Sequence, residues 1–371
     1  MNNTASRKSQ KIKIIFVAPS LDAGGAEKFL VDLLSNLNTE EFDFKLVLFG
    51  HAGFFLDELK SRGVEVEVLQ KKFKIDVVNF CRLYSFIRKN RPDIVHTQLG
   101  GDVYGRLIAK LLGVKIIVST EVGINVNEGF LMHLIKIWTA RFATKIIAVS
   151  EAVRRDVAQR YLVSLRRVEL IYNGLDVARF SGFKKAPRAS DRIIFGGLGR
   201  LSPEKNWPTL IRALALMKNK NVDCIIGGAG EMRTELEFMA DDLGVKKRIK
   251  FLGLVKDVPE FMAGLDFFVL PSTREAFGIV LIEAGMFSLP VLAAAVGGVT
   301  EIIDNNKTGF LFNPRSTADL AEKLDYMAEN IDNPVVKKMG ADLHDFVQKN
   351  FDIKIITAKY EKLYKDLYNK K

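Results

Sequence analysis

Short apolar runs alternate with segments of 3.6-residue periodicity from one end of this 371-residue chain to the other. No other feature restricts the fold as much. In the first half the runs are Ile12–Ala18, Phe44–Phe49, Ile94–His96, Lys115–Ser119, Lys145–Val149 and Val168–Ile171. In the second they are Arg192–Phe195, Asp223–Ile226, Ile249–Leu252, Phe267–Leu270, Pro290–Ala293 and Gly309–Phe312. Between them lie helical patterns such as Glu27–Leu37 and Thr317–Met327. Strands that are apolar on both faces and separated by helices imply parallel sheets in an α/β fold.

The series breaks over residues 176–191, which end in a linker-like Ser-Gly-Phe-Lys-Lys-Ala-Pro-Arg-Ala-Ser-Asp. Two Rossmann-like domains facing each other across a cleft are therefore expected. The first is 1–180, a linker follows at 181–191, and the second is 192–352. The last segment, 353–371, reads as an amphipathic helix over Ile353–Leu367 that packs back on the first domain. The length suits two domains, each with its own core.

Composition excludes several classes. With 48% hydrophobic and 27% charged residues the chain is globular rather than disordered. Cys81 and Cys224 are its only cysteines and lack metal-ligand spacing, which argues against a disulfide framework and suits a reducing cytosol. The Ile12–Ala18 run is too short for a signal peptide. Residues 276–300 carry one charge, Glu283, but Pro290 and several glycines make them a buried helix, turn and strand rather than a membrane span. The charge is uneven. Residues 1–185 hold 29 Lys+Arg against 19 Asp+Glu, while the remainder hold 26 against 25. The basic half points to an anionic partner, either nucleic acid or an anionic membrane surface.

Ligands of open α/β sheets bind beyond the carboxyl ends of the strands, and four loops there stand out. Gly24-Gly25, before the first helix, would let backbone N–H groups approach a phosphate, although tight βα turns also use glycine. In Gly199-Arg200-Leu-Ser202-Pro203-Glu-Lys205-Asn206, Ser202 and Pro203 read as a helix start. That puts Lys205 in a first turn where the dipole disfavours a cation, a conflict that a bound anion shared with Arg200 would remove. Gly227-Gly228-Ala-Gly230 half resembles a dinucleotide fingerprint, but Arg233 replaces the third glycine and a tight turn is the better reading.

The fourth loop leads into Glu275-Ala-Phe277-Gly278-Ile-Val-Leu-Ile-Glu283, two carboxylates in an apolar run. A helix opening at Phe277-Gly278 would separate them by roughly 10–12 Å. That exceeds the roughly 5–9.5 Å of a hydrolytic acid/base pair, and fits two ends of one longer ligand. Each carboxylate can accept hydroxyl hydrogen bonds from a diol. The simpler alternative is a capping Glu275 and a salt-bridged Glu283. There is no Asp-x-Asp, and His51, His96, His133 and His344 are scattered, so no metal or other cofactor is expected.

Taken in order, these residues resemble glycosyltransferase family 4, retaining enzymes of the GT-B fold. The resemblance spans nearly the whole chain. It runs through Gly24-Gly25-Ala-Glu27, Pro92-Asp-Ile-Val-His96, Ala148-Val-Ser150-Glu151, Asn173-Gly174-Leu-Asp176 and Gly199 through Asn206. It continues with Glu275 through Glu283 as the E-x7-E motif, Gly297-Gly298-Val-Thr-Glu301 and Thr308-Gly309-Phe310.

The resemblance implies a sugar moved from a nucleotide-diphosphate sugar, a UDP-sugar foremost, to a glycan or lipid-linked saccharide in bacterial surface polysaccharide assembly. It implies that Arg200 and Lys205 hold the donor diphosphate, Glu275 the sugar hydroxyls and Glu283 the ribose diol. Gly24, Gly25, Phe277, Gly278, Gly298 and Glu301 would complete the donor site, with Arg200, Lys205 and Glu275 catalytic. His96, Glu121 and Asn125 are the acceptor-side candidates. One position departs: where many relatives carry a histidine, this chain has Val122. The alternatives are a UDP-N-acetylhexosamine epimerase of the same fold, and a pseudoenzyme that only binds sugar nucleotides or glycans.

The basic half becomes the acceptor domain. Lys71, Lys72, Lys74, Arg82, Arg88, Lys89 and Arg91 interleave there with Phe73, Phe80, Tyr84 and Phe86. The segment Phe130–Phe142 is expected to be a core-facing helix with a solvated basic face; the alternative is peripheral docking on anionic lipid. Nucleic acid is set aside, because no recognition motif accompanies the charge. The expected location is the cytoplasm, with a peripheral position on the inner face of the cytoplasmic membrane as the alternative.

Overall fold

The computed structural model describes residues 11–71, 76–124, 129–183, 185, 188 and 191–370. The chain forms two compact units, Met1–Asn173 with Ile353–Lys371, and Gly174–Asp352.

The first unit begins β1 (Ile12–Ala18), α1 (Gly25–Asn36), β2 (Phe42–Leu48), α2 (Leu56–Ser61) and β3 (Val66–Val68). It goes on with α3 (Val77–Asn90), β4 (Ile94–Gln98), α4 (Asp102–Leu111) and β5 (Ile116–Glu121). Then come α5 (Phe130–Ala140), β6 (Lys145–Ala148), α6 (Glu151–Arg160) and β7 (Val168–Leu170). The second unit starts β8 (Ile193–Leu198), α7 (Trp207–Leu216), β9 (Val222–Gly227), α8 (Arg233–Asp242) and β10 (Ile249–Gly253). It continues α9 (Val258–Ala263), β11 (Phe267–Leu270), α10 (Ile279–Met286), β12 (Val291–Ala294) and α11 (Val299–Ile302). It ends with β13 (Phe310–Phe312), α12 (Thr317–Glu329) and α13 (Pro334–Phe351), after which α14 (Ile353–Asn369) closes the chain.

All pairings within the two sheets are parallel. The strand orders are β3-β2-β1-β4-β5-β6-β7 and β10-β9-β8-β11-β12-β13. Each sheet reverses direction once, between β1 and β4 and between β8 and β11, as a doubly wound Rossmann sheet does. The central strands are buried on both faces, which is why they read as continuous apolar runs: β1 carries Ile14, Ile15, Phe16 and Val17, all buried. In the second core Trp207 is fully buried, and Phe195 stacks on Phe267 at 5.1 Å.

The chain passes between units at two places that lie side by side, since Leu175 N–H donates to the Phe351 carbonyl at 2.9 Å. The division thus falls at Asn173/Gly174 and not at 180, because Phe180 packs edge-to-face on Phe287 of the second unit. The expected linker includes 184, 186–187 and 189–190, which lie outside the described residues.

Helix α14 belongs to the first unit. Its Glu361 accepts the Asn38 N–H at 2.8 Å, and Lys365 pairs with Glu41. Its Tyr360 and Tyr364 are buried against His96, which bonds Tyr364 Oη at 2.6 Å and Thr120 Oγ1 at 2.7 Å. Burial lowers the His96 pKa to about 3. The unfolded imidazole titrates near 6.5, so between those values only the unfolded chain binds the proton. Stability from this site is complete above about pH 6.5 and drains as pH falls toward 3, by up to about 1.4 kcal/mol per pH unit. Chemical unfolding at about pH 7.5 and pH 5 should show that decline in the wild type and a shallower one in His96→Gln. Identical slopes would remove His96 as its source.

Helix α3 buries Leu83 and Ile87 while Phe80, Tyr84 and Phe86 pack on the same core, which leaves Arg88 and Lys89 solvated. Lys72, Phe73 and Lys74 lie outside the described residues. Helix α5 contradicts the expected core-facing arrangement: Phe130, Leu131, Met132, Leu134 and Trp138 are exposed, whereas Lys136, Thr139 and Ala140 are buried.

Candidate active site

In the second unit the switch point lies between β8 and β11, and the loops that follow these strands meet there. The loop after β8 makes one 3-10 turn over Pro203–Lys205, turns left-handed at Asn206 (φ 55°) and enters α7. The loop after β11 runs from Pro271 to Gly278, the residue that precedes α10. Thr273 N–H donates to the Glu204 carbonyl at 2.8 Å, and Asn206 Nδ2 donates to the Pro271 carbonyl at 3.1 Å. Lys205 Nζ donates to Glu275 Oε2 at 2.6 Å, and Ser272 Oγ reaches the same oxygen at 3.2 Å. Two residues chosen from separate motifs thus form one part-buried ion pair.

This geometry corrects the expected helix start. Ser202-Pro203 opens a single 3-10 turn, and α7 starts only after Asn206, with Pro208 in its first two positions. Lys205 closes the short turn just ahead of α7, and Glu275 supplies the anion that pairs with it. The Ser202 hydroxyl donates to Glu204 Oε1 at 2.7 Å instead of capping a helix. Burial works to raise the Glu204 pKa, but the Ser202 hydroxyl, a backbone N–H and the charges of Arg200 and Lys205 outweigh it and lower the value. The Arg200 side chain is exposed, and its carbonyl accepts the Trp207 indole N–H at 2.8 Å.

The segment from Glu275 to Glu283 is held from behind by glycines. A Cβ on Gly297 would stand 2.0 Å from the Glu275 carbonyl oxygen, and one on Gly298 would stand 2.4 Å from that of Ala276. Gly298 N–H donates to the Glu275 carbonyl at 3.1 Å. Phe277 is buried edge-to-face on Phe351 at 5.4 Å, and Gly278 takes φ 99°, which suits glycine. Glu283 is buried in α10, while Glu301 is half-buried on α11. No side chain caps α10, so its first N–H groups have no side-chain acceptor from a capping residue. The cluster therefore offers a cation, an acceptor carboxylate and a helix N-terminus within two joined loops. Such groups suit a diphosphate and hydroxyls.

Gly228 and Gly230 serve packing. A Cβ on either would stand 1.9 Å and 2.3 Å from the carbonyl oxygens of Gly199 and Leu201, so they let the neighbouring loop lie close. Ser272, Thr273, Glu204 and Asn206 also join the cluster. Glu204 and Asn206 lay within the Gly199–Asn206 motif without an assigned role, and Pro208 just beyond marks the true helix start; nothing in sequence marked Ser272 or Thr273.

The first unit holds the other nominated residues. Gly24 precedes α1, and the Glu27 carboxylate lies over it: a Cβ on Gly24 would stand 2.2 Å from Glu27 Oε2. The expectation that His96 and Glu121 face an acceptor is corrected. His96 is a core residue, as described. Glu121 is buried at the end of β5, where Arg106 Nη2 donates to it at 2.9 Å and Tyr161 Oη at 3.3 Å. Arg106 also donates to Ser119 Oγ at 2.7 Å and lies 3.7 Å from Asp102. Burial and Asp102 push the Glu121 pKa up, against the pull of Arg106 and Lys136. A basic side chain had to be buried to offset two carboxylates, and nothing local in sequence marks it. Asn125 lies outside the described residues.

Two Rossmann-like units of these strand orders are the architecture of the GT-B class. Residues 23–179 match the family model described as Glycosyltransferase Family 4, and residues 179–341 the model described as Glycosyl transferases group 1. The chain belongs to glycosyltransferase family 4. It is 25% identical to the Escherichia coli UDP-Gal:alpha-D-GlcNAc-diphosphoundecaprenol alpha-1,3-galactosyltransferase, over 96% of this chain and 97% of that protein. It is 27% identical, over 90% of this chain and 94% of the relative, to a Campylobacter jejuni alpha-1,4-N-acetyl-D-galactosaminyltransferase named for a diphosphoundecaprenol-linked acceptor. Among solved structures, Anabaena HepE in complex with UDP matches with a TM-score of 0.83 at 25% identity, over 96% of this chain and 100% of HepE.

Proposed function

We propose that this glycosyltransferase is a retaining enzyme that moves a sugar from a UDP-sugar to a lipid-linked saccharide during assembly of a bacterial surface glycan. The observation that carries the reading is the Lys205–Glu275 pair at the switch point of the second sheet. A nucleoside diphosphate offers Lys205 a stronger anion than one carboxylate, and its arrival releases Glu275 to accept sugar hydroxyls. In the reaction the bond from anomeric carbon to phosphate oxygen breaks. The bond to the acceptor oxygen forms on the same face, and the acceptor proton passes to the leaving phosphate. Arg200 and Lys205 offset the charge that develops on that phosphate.

The relatives support the donor and acceptor classes, since one is named for UDP-Gal and both for diphosphoundecaprenol-linked saccharides, and HepE holds UDP. The reading needs no bound metal. Among the described residues no group of three or more His, Cys, Asp or Glu stands close enough to hold one. A peripheral position on an anionic membrane follows from the acceptor class and the basic first half of the chain. Among the described residues no helix is long and apolar enough to cross a membrane.

A panel of UDP, GDP and ADP in thermal unfolding tests the donor. UDP at a hundredfold its Kd should add about 2.7 kcal/mol, and the others should add little. Transfer from the matching UDP-sugar to an undecaprenyl-diphosphate saccharide should then persist in EDTA. Stabilisation by GDP alone would refute the donor assignment, and a sugar isomer formed without acceptor would make the protein an epimerase.

A further inference from the structure

Helix α5 is turned inside out. Phe130, Leu131, Leu134 and Trp138 are 78%, 70%, 44% and 51% exposed, while its one charged residue, Lys136, is buried. Positions 130, 134 and 138 follow a spacing of four, so they align on one stripe with Leu131 beside it. A helix of a water-soluble core turns such a stripe inward. Lys136 lies on the inward face, where its charge acts on the buried carboxylate of Glu121 in the network around Arg106.

We propose that this stripe seats the protein on an anionic lipid bilayer, with Phe130, Leu134 and Trp138 entering the interface. Charge selects the occupant: residues 1–185 carry 29 Lys+Arg against 19 Asp+Glu, and Arg141, just past the helix, is exposed. Tryptophan at the edge of an apolar stripe suits the headgroup level. A second copy of the chain fits less well, because a stable interface needs about 800 Å² per partner. One stripe on an 11-residue helix, about 16 Å long, offers a fraction of that. The inference rests on the lipid-linked acceptor for its purpose and names the surface that would bring the enzyme to it.

Vesicles of phosphatidylglycerol and phosphatidylcholine in equal parts provide the test, at low and high salt. The wild type should co-sediment at low salt and dissociate as salt rises. A Phe130→Ser, Leu134→Ser, Trp138→Ser variant should bind at least about tenfold more weakly. Tryptophan emission should shift to the blue with vesicles, and Trp138→Phe should abolish the shift because Trp207, the other tryptophan, is already buried. Undiminished vesicle binding by the triple variant, or equal binding to pure phosphatidylcholine, would overturn the proposal. So would a wild-type dimer that the triple variant dissolves. Transfer to a soluble short-chain acceptor should be unchanged in the triple variant. Failure of the wild type in that assay would count against the enzymatic reading and leave the vesicle result standing.

Discussion

Lys205→Ala is expected to lower kcat by about 10²- to 10³-fold, the loss typical when one preorganised charge is removed from a developing anion. The substitution also strips Glu275 of its 2.6 Å partner, so two roles must be separated. If Lys205 binds the donor diphosphate, Lys205→Ala weakens UDP binding and Glu275→Gln does not. If Lys205 only positions Glu275, the single variants and the double variant all lose the same activity and UDP affinity is untouched. Glu283→Ala should likewise abolish transfer while the fold persists, since Glu283 is buried in α10 within the same segment. Wild-type turnover by Lys205→Ala and Glu283→Ala would remove this loop cluster as the donor site.

Arg106→Met should destabilise the first unit by about 3–5 kcal/mol, because it leaves Glu121 and Asp102 buried without their cation. For a unit of this size the melting temperature should fall on the order of 10 °C. Arg106→Met with Glu121→Leu should recover much of the loss, since an apolar pair avoids the desolvation that the ions incur. A single variant within about 1 kcal/mol of wild type would show that water or rearrangement satisfies the carboxylates. The same network buries Lys136, so Arg106→Met should also loosen α5.

Much of the scaffold was legible because parallel strands buried on both faces leave long apolar runs. Each of the twelve runs read from sequence overlaps a strand. The strand that escaped, β3, is three residues at a sheet edge with Glu67 between Val66 and Val68, too short for any periodicity to register. The site was legible in part. Gly278 and Gly298 stand where the backbone needs them, Glu275 precedes the expected helix and Glu283 lies within it. Their contacts were not legible: Lys205 and Glu275 lie 70 positions apart, and only the strand order brings their loops together. His96 and Glu121 were misplaced for the converse reason. A polar residue in a strand or at its end looks the same in sequence whether it meets a ligand or a buried tyrosine and arginine.

The sequence by itself determined two α/β units, the parallel sheets and the glycine-bearing loops after their strands, since periodicity and glycine geometry are local properties. Tertiary structure alone decided which charges neutralise one another, where the units divide, and that α5 turns its apolar face outward. These depend on long-range burial: a carboxylate or lysine takes its partner from whatever strand order sets beside it, and leaving it buried and unpaired is costly.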